Sequence, residues 1–550
     1  MRLKNLRDIK PSLFPPSKPN HNHRPSTIID HEQINRNSQP QLLHRFSTTI
    51  ADLSNHHPNK YKQTMDSSDE ENTTTKLRIS LHLAPGVKPQ NSDGTTLEIP
   101  SDPIAVPCNI RKRGLSAVVN HLLGRNVVND SGSNSDDNEE DSLSSLLPPI
   151  AFDFLLSSKL LRLPLESAVR KEGLSTEKAI ELHYFPARLP PIKEGEGENF
   201  PDWVTSLDYT DGVLFAGCAD GVVRSFECGD KGMNRKAVRS VGAHTGQIHC
   251  LTSIAFGNDD SLLVATGSMD QTLVTHLYDN STSSKSSGLD LHAVYSGGHG
   301  NSITSVAMCN EADNGVVMAS GDWDGGLVIW NVPTSSTNET NAEETEESSS
   351  KRQKGSSKKK QAHPKSIREA KPKTSTKAHS SNIFGLCFGY QSPTTLLTSS
   401  WDHSLKVYDV ERMDCILTTN GSRVITSMSR CMNGNIVATG CADNMVRLWD
   451  MRVGNGGNVG SMGQIADKTL RQSHTAWVSD VQWSPTDPFV LSSNSHDGTL
   501  KVWDIRSSVP LHTVNAVSKK GEKALCLAFG DGYVYSGGSD CVVNQFACKV

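Results

Sequence analysis

The sequence lacks the motifs that mark common enzymes and the long apolar runs that mark membrane proteins. It contains no P-loop, no G-x-S-x-G and no H-E-x-x-H motif. No apolar run approaches the roughly 18 residues of a membrane-spanning helix, and charged residues make up 21% of the chain. These absences predict a non-enzymatic protein that does not span a membrane.

Paired metal-binding cysteines are also absent. The twelve cysteines form no C-x-x-C pair. Several of them, such as Cys218, Cys250, Cys387 and Cys526, fall at strand positions, where a free thiol behaves as a small core residue. We therefore expect reduced, structural cysteines and no metal or cofactor in the free protein.

What the sequence does contain is a repeat. Seven segments combine a turn aspartate with an alternating apolar strand, and successive aspartates are 50, 54, 78, 41, 54 and 43 residues apart. A WD-repeat blade is about 40–45 residues long before loop insertions, and Asp-Gly or Asp-Asn readily forms the required hairpin turn. The pattern predicts an all-β seven-bladed propeller. The turn aspartates are Asp220, Asp270, Asp324, Asp402, Asp443, Asp497 and Asp540.

Histidines precede four of these turns and carry a resemblance to WD40 repeats. The segments GAH, GGH, KAH and QSH end at His244, His299, His379 and His474. In WD40 proteins such a histidine, the turn aspartate and a strand-end tryptophan form a buried network. The resemblance implies this network for those four histidines with Asp270, Asp324, Asp402 and Asp497, and with Trp330 and Trp503 at strand ends. A catalytic His-Asp dyad is the minor alternative, because a pairing that recurs from blade to blade indicates structure.

The sequence supplies only three strands for the last blade, its first inner strand included. We therefore predict that a segment before Trp203, within residues 187–199, supplies the outer strand that closes the ring.

Two segments with biased composition interrupt or precede this propeller. Residues 351–377 hold eleven Lys or Arg against one Glu, and such polar composition cannot bury enough apolar surface to fold. We expect a disordered basic insertion at 334–376. A solvated spacer is one interpretation, and a nuclear-import signal is the other. The signal would consist of Lys351, Arg352, Lys354, Lys358, Lys359 and Lys360.

The N-terminal tail, residues 1–74, shows no sustained periodicity and is predicted to be disordered. Its first 64 residues carry ten Lys or Arg and four acids. A transit peptide is one interpretation, although the acids count against it. The segment MDSSDEENTTT reads like an ordinary start, so Met65 is an alternative N-terminus.

Residues 75–190 predict a second, small α+β domain of ubiquitin-like fold. Strand-like KLRISLHLAP and TLEIPSDPIAVP precede the helical pattern GLSAVVNHLLGR. After an acidic loop at 129–142, FDFLL, LLRLPL and IELHY read as three strands. The predicted order is β-β-α-β-β-β, followed by the propeller at 191–550.

Both domains together resemble one family. The segments GLSAVVNHLL, FDFLLSSKLLRLPL, KEGLSTEKAIELHY, ARLPP and DWVTSLD occur in that order before the repeats. They resemble the Ytm-type, WD-repeat-containing protein 12 family, which carries a notchless-like N-domain. The resemblance implies a nucleolar and nucleoplasmic assembly factor. It would join the pescadillo and block-of-proliferation proteins in the PeBoW complex on precursors of the 60S subunit, and would be released by the AAA ATPase midasin.

The same resemblance places the contact with midasin on one residue. In the family an acidic side chain of the N-domain completes a Mg²⁺ site on midasin, and Glu177 in GLSTEKAI holds that position. A carboxylate suits this role because Mg²⁺ prefers hard oxygen ligands. Without the resemblance, Glu177 reads as a solvated charge.

Two further expectations concern what the propeller binds. Trp323 and Trp401 precede the turn aspartates of blades three and four, and tryptophan is enriched in binding hot spots. Packing over a neighbouring loop is the alternative. The basic insertion also leaves open a nuclear RNA-binding propeller, in which the insertion contacts ribosomal RNA phosphates.

Overall fold

The computed structural model describes residues 76–90, 96–125, 148–229, 232–257, 261–279, 289–311, 315–333, 368–389, 392–421, 423–434, 436–450, 463–464, 470 and 473–548. All of them lie in one compact unit, Ser68–Val127 with Asp141–Val550. The predicted tail at 1–74, the acidic loop at 129–142 and the import residues between Lys351 and Lys360 lie outside the described residues.

The first domain, called the N-domain below, is a five-stranded sheet with two helices. Its strands lie in the order β2-β1-β5-β3-β4, and β1 and β5 run parallel to each other. Its elements, in chain order, are β1 (Lys76–Leu83), β2 (Ile104–Pro107), α1 (Lys112–Leu122), β3 (Phe152–Leu156), β4 (Lys159–Leu160), α2 (Leu165–Glu172) and β5 (Ile180–Pro186).

The core of the N-domain lies between the sheet and the helices. Phe152, Phe154 and Tyr184 of the sheet and Leu115 of α1 are fully buried there. Ser157 and Ser158 both have positive φ, at 49° and 66°, so the predicted SSK turn between β3 and β4 is confirmed. Fully burying one apolar side chain such as Phe152 stabilises a domain by about 1.5–3 kcal/mol.

The predicted strand LLRLPL is wrong for most of its length. Of this segment only Leu160 lies in a strand, β4, and its last residue, Leu165, begins the helix α2. Pro164 starts this helix and Gly173, at φ 66°, ends it. Proline before a helix and glycine after it are standard boundary signals, but the alternating leucines masked them.

The rest of the described chain forms seven further sheets, numbered one to seven in chain order. Sheet one contains β7 (Val204–Thr210), β8 (Val213–Cys218), β9 (Val222–Gly229), β10 (Gly232–Met233) and β11 (Arg239–Gly242). Sheet two contains β12 (Ile248–Ala255), β13 (Ser261–Ser268), β14 (Leu273–Asp279) and β15 (Leu289–Tyr295). Sheet three contains β16 (Ile303–Asn310), β17 (Val316–Asp322), β18 (Gly326–Val332) and β20 (Thr374–Lys377). The short β19 (Glu369–Ala370) pairs with β15.

Sheets four to seven continue the same pattern. Sheet four contains β21 (Ile383–Gly389), β22 (Ser392–Ser400), β23 (Ser404–Asp409) and β24 (Cys415–Asn420), and sheet five contains β25 (Ile425–Arg430), β26 (Ile436–Cys441), β27 (Val446–Asp450) and β28 (Gly463–Gln464). Sheet six contains β29 (Val478–Trp483), β30 (Val490–Ser495), β31 (Thr499–Asp504) and β32 (His512–Asn515). Sheet seven contains β33 (Ala524–Phe529), β34 (Tyr533–Gly538), β35 (Val543–Ala547) and β6 (Ile192–Glu196).

The sheets form a closed ring. The first strands of neighbouring sheets contact each other in sequence from β7 to β33, and β33 contacts β7 again. Apolar side chains from adjacent sheets fill the space between them, with Trp330, Trp449 and Trp503 almost fully buried. This is the architecture of a β-propeller.

The ring closes with a strand from the N-terminal side. β6 pairs antiparallel with β35, with Glu196 opposite Asn544 and Ile192 opposite Ala547. Gly197 N–H adds a hydrogen bond to the Val543 carbonyl at 2.8 Å. The prediction that residues 187–199 supply the missing outer strand is confirmed.

The turn after each second strand needs one residue with positive φ. The residue that follows the turn aspartate has φ between 62° and 88° in all seven sheets. Gly221, Gly325 and Gly498 adopt this conformation without steric cost, whereas Gln271, His403 and Cys541 do so under strain.

The predicted disordered insertion at 334–376 extends too far. Residues 374–377 form β20, the fourth strand of sheet three, and pair with β18. Alternating Thr-Ser-Thr-Lys is polar because β20 is an outer strand with one exposed side, so its composition resembles that of the linker before it.

Candidate functional site

Glu177 lies in the exposed loop between α2 and β5, as the sequence places it. The loop begins where α2 stops. Gly173 N–H donates to the Arg170 carbonyl at 3.2 Å, and Leu174 N–H donates to the Val169 carbonyl at 3.1 Å. This pair of bonds satisfies the last carbonyls of the helix and sets the direction in which the loop leaves it.

The neighbouring acids differ from Glu177 in their surroundings. Glu172 pairs with Lys159 at 3.0 Å, and Glu181 lies within β5. Glu177 is exposed, and its backbone N–H donates to Ser175 Oγ at 3.3 Å. Within the described part of the chain its carboxylate accepts no hydrogen bond and pairs with no cation, so both oxygens are open to a ligand from outside.

The predicted His-Asp-Trp network is fully assembled in sheet six. His474 Nδ1 lies 3.2 Å from Asp497 Oδ2, and His474 Nε2 lies 2.8 Å from Ser493 Oγ. Trp503 Nε1–H donates to the same Ser493 oxygen at 2.9 Å. Ser493, which the sequence did not single out, therefore joins the histidine to the tryptophan.

Protonation in this network follows from its burial. Burial lowers the pKa of His474 in spite of its hydrogen bond to Asp497. Burial raises the pKa of Asp497, but the hydrogen bonds from His474 and Thr499 outweigh this effect and lower it below its usual range. A neutral imidazole held between the Asp497 carboxylate and the Ser493 hydroxyl is a structural arrangement.

Sheets two and four repeat the histidine–aspartate pair, although no tryptophan stands at the end of the strand that follows it. His244 Nδ1 lies 3.2 Å from Asp270, and His379 Nδ1 lies 2.9 Å from Asp402. Thr266 and Thr398 take the place of Ser493. Hydroxyl groups on the central strand therefore complete the network even where no tryptophan follows.

Sheet three departs from the prediction. His299 pairs with Asp322, at 2.9 Å, and not with Asp324, which is exposed and accepts a hydrogen bond from Asn301. The reason is Gly326, which stands where the other networks have Ser or Thr. A Cβ at Gly326 would lie 2.5 Å from Asp322 Oδ2, so the glycine leaves the space that the Asp322 carboxylate fills. Trp330 completes this network through Ser320.

Sheets one and five replace the histidine with arginine. Arg224 pairs with Asp220 at 2.7 Å, and Arg447 pairs with Asp443 at 2.6 Å. Both pairs have the form D-x-x-x-R, in CADGVVR and CADNMVR. This repeated spacing is the signal that sequence reasoning missed.

Trp323 and Trp401 lie together, in the turns that follow the second strands of sheets three and four. Their ring centroids are 5.6 Å apart, Phe384 stacks on Trp401 at 5.3 Å, and Trp477 meets it edge-on at 6.4 Å. Both predicted tryptophans are half-buried, so they pack against each other while keeping part of their surface in solvent. Phe384 and Trp477 are additions that only the three-dimensional arrangement reveals. We call these four residues the aromatic cluster.

Metal and membrane sites receive no support from the described residues. Among them, no group of three or more His, Cys, Asp or Glu is placed to hold a metal ion. The two described helices are too short to cross a bilayer.

The fold and these networks define a WD-repeat β-propeller preceded by an α+β domain, and comparison with known families agrees. The NLE (NUC135) domain model matches residues 88–169. The WD domain, G-beta repeat model matches five segments, 235–274, 291–331, 370–409, 413–450 and 467–504.

The chain is similar over most of its length to proteins named as ribosome biogenesis proteins. It is 29% identical over 470 residues to a ribosome biogenesis protein WDR12 homolog of Chlamydomonas reinhardtii, covering 82% of this chain and 94% of that protein. It is 27% identical to a WDR12 homolog of Oryza sativa subsp. japonica, covering 81% and 92%. With ribosome biogenesis protein YTM1 of Saccharomyces cerevisiae the identity is 26%, covering 78% and 88%. The resemblance to the Ytm-type, WD-repeat-containing protein 12 family is confirmed.

Proposed function

We propose that this protein is a non-enzymatic ribosome biogenesis factor of the nucleolus and nucleoplasm. The observation that carries the proposal is the succession of an NLE domain and WD40 repeats in one chain, shared over about four fifths of its length with relatives named ribosome biogenesis proteins. In this proposal the propeller is a scaffold that joins pescadillo and block-of-proliferation proteins on the precursor of the 60S subunit.

The N-domain is the part through which the factor is released. Its sheet order, with β1 and β5 parallel at the centre, supports a ubiquitin-like fold, and the ring of seven sheets supports a seven-bladed propeller. Glu177 then completes the Mg²⁺ site of midasin with one carboxylate oxygen. Its exposure and the lack of a described partner support this role, because a ligand that is already paired must first lose its ion pair.

Calorimetric titration of the full chain against the adhesion domain of midasin tests the contact. We expect binding in Mg²⁺ that disappears with a chelator and with Glu177→Ala. Glu181→Ala is the matched control, since Glu181 is also exposed and lies only four residues away. Binding that survives both the chelator and Glu177→Ala would move the contact to another part of the protein.

The aromatic cluster is the proposed contact of the propeller with a partner. Half-buried tryptophans that are held by their neighbours lose little conformational freedom on binding, which favours a hot spot. Trp401 Nε1 is buried and has no hydrogen-bond acceptor among the described residues. Co-purification of the block-of-proliferation protein with Trp323→Ala and Trp401→Ala tests this contact, with Trp203→Ala as the control. Undiminished recovery with both variants would remove the proposal.

A further inference from the structure

The N-domain is joined to the propeller at two places. The first is covalent, because β5 continues through residues 187–191 into β6. The second is a set of contacts with sheet six, which we call the dock. It consists of Leu160 and Phe185 of the N-domain together with Arg188 of the linker on one side, and of Asp487, Phe489 and Arg506 on the propeller side.

Arg506 is the centre of the dock. Its guanidinium carbon lies 4.6 Å from the centre of the Phe185 ring and 4.5 Å from that of Phe489, so the cation is held between an aromatic ring of each domain. Hydrogen bonds to Asp504 at 2.6 and 2.9 Å fix its orientation. A planar guanidinium held this way stacks on aromatic rings better than an ammonium group does.

Polar and apolar contacts surround this stack. Leu160 N–H, on the edge strand β4, donates to the Arg506 carbonyl at 3.0 Å. Arg188 pairs with Asp487, and the Arg188 carbonyl lies 3.0 Å from His512 Nε2. Phe185 and Leu160 are buried together, and Leu511 of the propeller packs against their cluster.

The chain order gives the dock a mechanical consequence. Glu177 lies before β5, at the end of that strand remote from Phe185 and the linker. Tension applied at Glu177 runs along β5, through residues 187–191, and directly into β6. β6 is held in the ring by its pairing with β35 over a short register, from Ile192 to Glu196. Without a second connection, a pull on the N-domain would peel off the strand that closes the propeller.

We propose that the dock transfers tension from the N-domain to sheet six and so keeps β6 in the ring while the protein is pulled. The contacts of Leu160 and Phe185 with Arg506 lie in parallel with the linker, between the point of pulling and β6. This inference rests on the proposed function, in which an ATPase exerts force on the N-domain. It adds that the factor leaves the particle as a closed ring.

Optical tweezers test the proposal on the full chain. One handle is attached in the loop at Ser175 and the other at the exposed turn formed by Glu411 and Arg412. The lifetime of the closed state is measured at constant force. Peeling of β6 releases residues 187–203, which gives a first step of up to about 60 Å of contour length.

Arg506→Lys is the main variant, because it keeps a positive charge beside Asp504 and removes the planar stacking group. We expect it to shorten the lifetime before the first step about tenfold. Asp487→Asn removes the ion pair with Arg188, which is a different contact of the dock, and should also shorten this lifetime. Arg239→Lys is the matched control, since Arg239 of sheet one stacks on Tyr278 of sheet two at 4.2 Å, a contact within the propeller.

Unchanged lifetimes for both dock variants would overturn the proposal, and so would an equal shortening with Arg239→Lys. Thermal melting of each variant without force shows that the proteins are folded before they are pulled. The measurement contains no ATPase, so its failure leaves the binding of Glu177 to midasin untouched, and the calorimetric result does not depend on the dock.

Discussion

At the scale of single residues, the turn aspartates are equivalent in sequence but have different partners. In sheets two, four and six the turn aspartate pairs with histidine, and in sheets one and five it pairs with arginine. In sheet three the histidine pairs with Asp322 instead of the turn aspartate, and in sheet seven Asp540 accepts from Ser518 N–H at 2.8 Å. In each case a buried or half-buried carboxylate is held by donors from a neighbouring loop or strand. Each of these carboxylates needs such a donor, because a buried carboxylate that is left unpaired costs free energy.

Sheet three allows the two acidic residues before Gly325 to be compared directly. Asp322→Ala leaves His299 without its acceptor in a buried site, so we expect a loss of about 2–3 kcal/mol in the free energy of unfolding. Asp324→Ala removes an exposed carboxylate and should cost about 0.5 kcal/mol or less. Thermal or denaturant unfolding of the two variants measures the difference. A larger effect of Asp324→Ala would restore the pairing that the sequence predicts.

Buried carboxylates also predict how stability depends on pH. Burial raises the pKa of Asp480 to about 7, against which hydrogen bonds from Leu527 and Val481 N–H act only in part. The folded protein therefore holds a proton on Asp480 between pH 4 and 7 that the unfolded chain has lost. Because the folded state binds more protons in this range, the contribution of Asp480 to stability falls as pH rises through it.

Asp480→Asn removes this titration. We expect the melting temperature of the variant relative to wild type to be higher at pH 8 than at pH 5, by several degrees. Taking the difference between the two proteins cancels the buried histidines, whose lowered pKa values act in the opposite direction. Asp211→Asn, at an exposed turn, is the control and should show no such difference between the two pH values.

At the scale of secondary-structure elements, β6 closes the ring although it is only five residues long. A propeller that begins at residue 191 keeps β6, and one that begins at residue 198 lacks it but keeps the buried Phe200. We expect the shorter protein to melt at least 10 °C lower, because β35 becomes an unpaired edge. Equal melting temperatures would show that the pairing of β6 with β35 contributes little to the closed ring.

Most of the ring could be predicted from the sequence, because its repeat combines turn chemistry with strand alternation. The missing strand follows from a count of strands, since three strands in the last sheet require a fourth. The helix α2 does not follow from the sequence, because eight residues give little periodicity and because the leucines before it suggest a strand. The Asp322 pairing depends on the space left by Gly326, which only the folded backbone shows.

Only part of the candidate site could be predicted from the sequence. The place of Glu177 in a loop before the last strand follows from the sequence pattern. The aromatic cluster does not, because Phe384 and Trp477 are distant from Trp323 in sequence and meet it only when the ring closes. The same holds for Arg506, whose two stacking partners belong to different domains.

At the scale of the whole molecule, the distribution of charge predicts where the protein goes. Neutralising Lys351, Arg352, Lys354, Lys358, Lys359 and Lys360 should move a tagged protein from the nucleus to the cytoplasm. Neutralising Lys371, Lys373 and Lys377, which are exposed, is the control and should leave it nuclear. Microscopy of the two variants measures the shift. A variant that stays nuclear but loses salt-dependent RNA binding would favour the RNA-binding alternative.

The closure of the ring by β6 also fixes the order in which the protein can be completed during synthesis. Gly195 and Gln545 pair in the closing sheet although they are 350 positions apart in the chain. At roughly 5–20 residues per second, a ribosome needs about 20–70 seconds to make the strand that β6 requires. The N-domain has all of its strands by residue 186, so it can fold and present Glu177 while the ring is still open. The newly made chain thus passes through an interval in which the domain that carries Glu177 is complete and the propeller behind it is not.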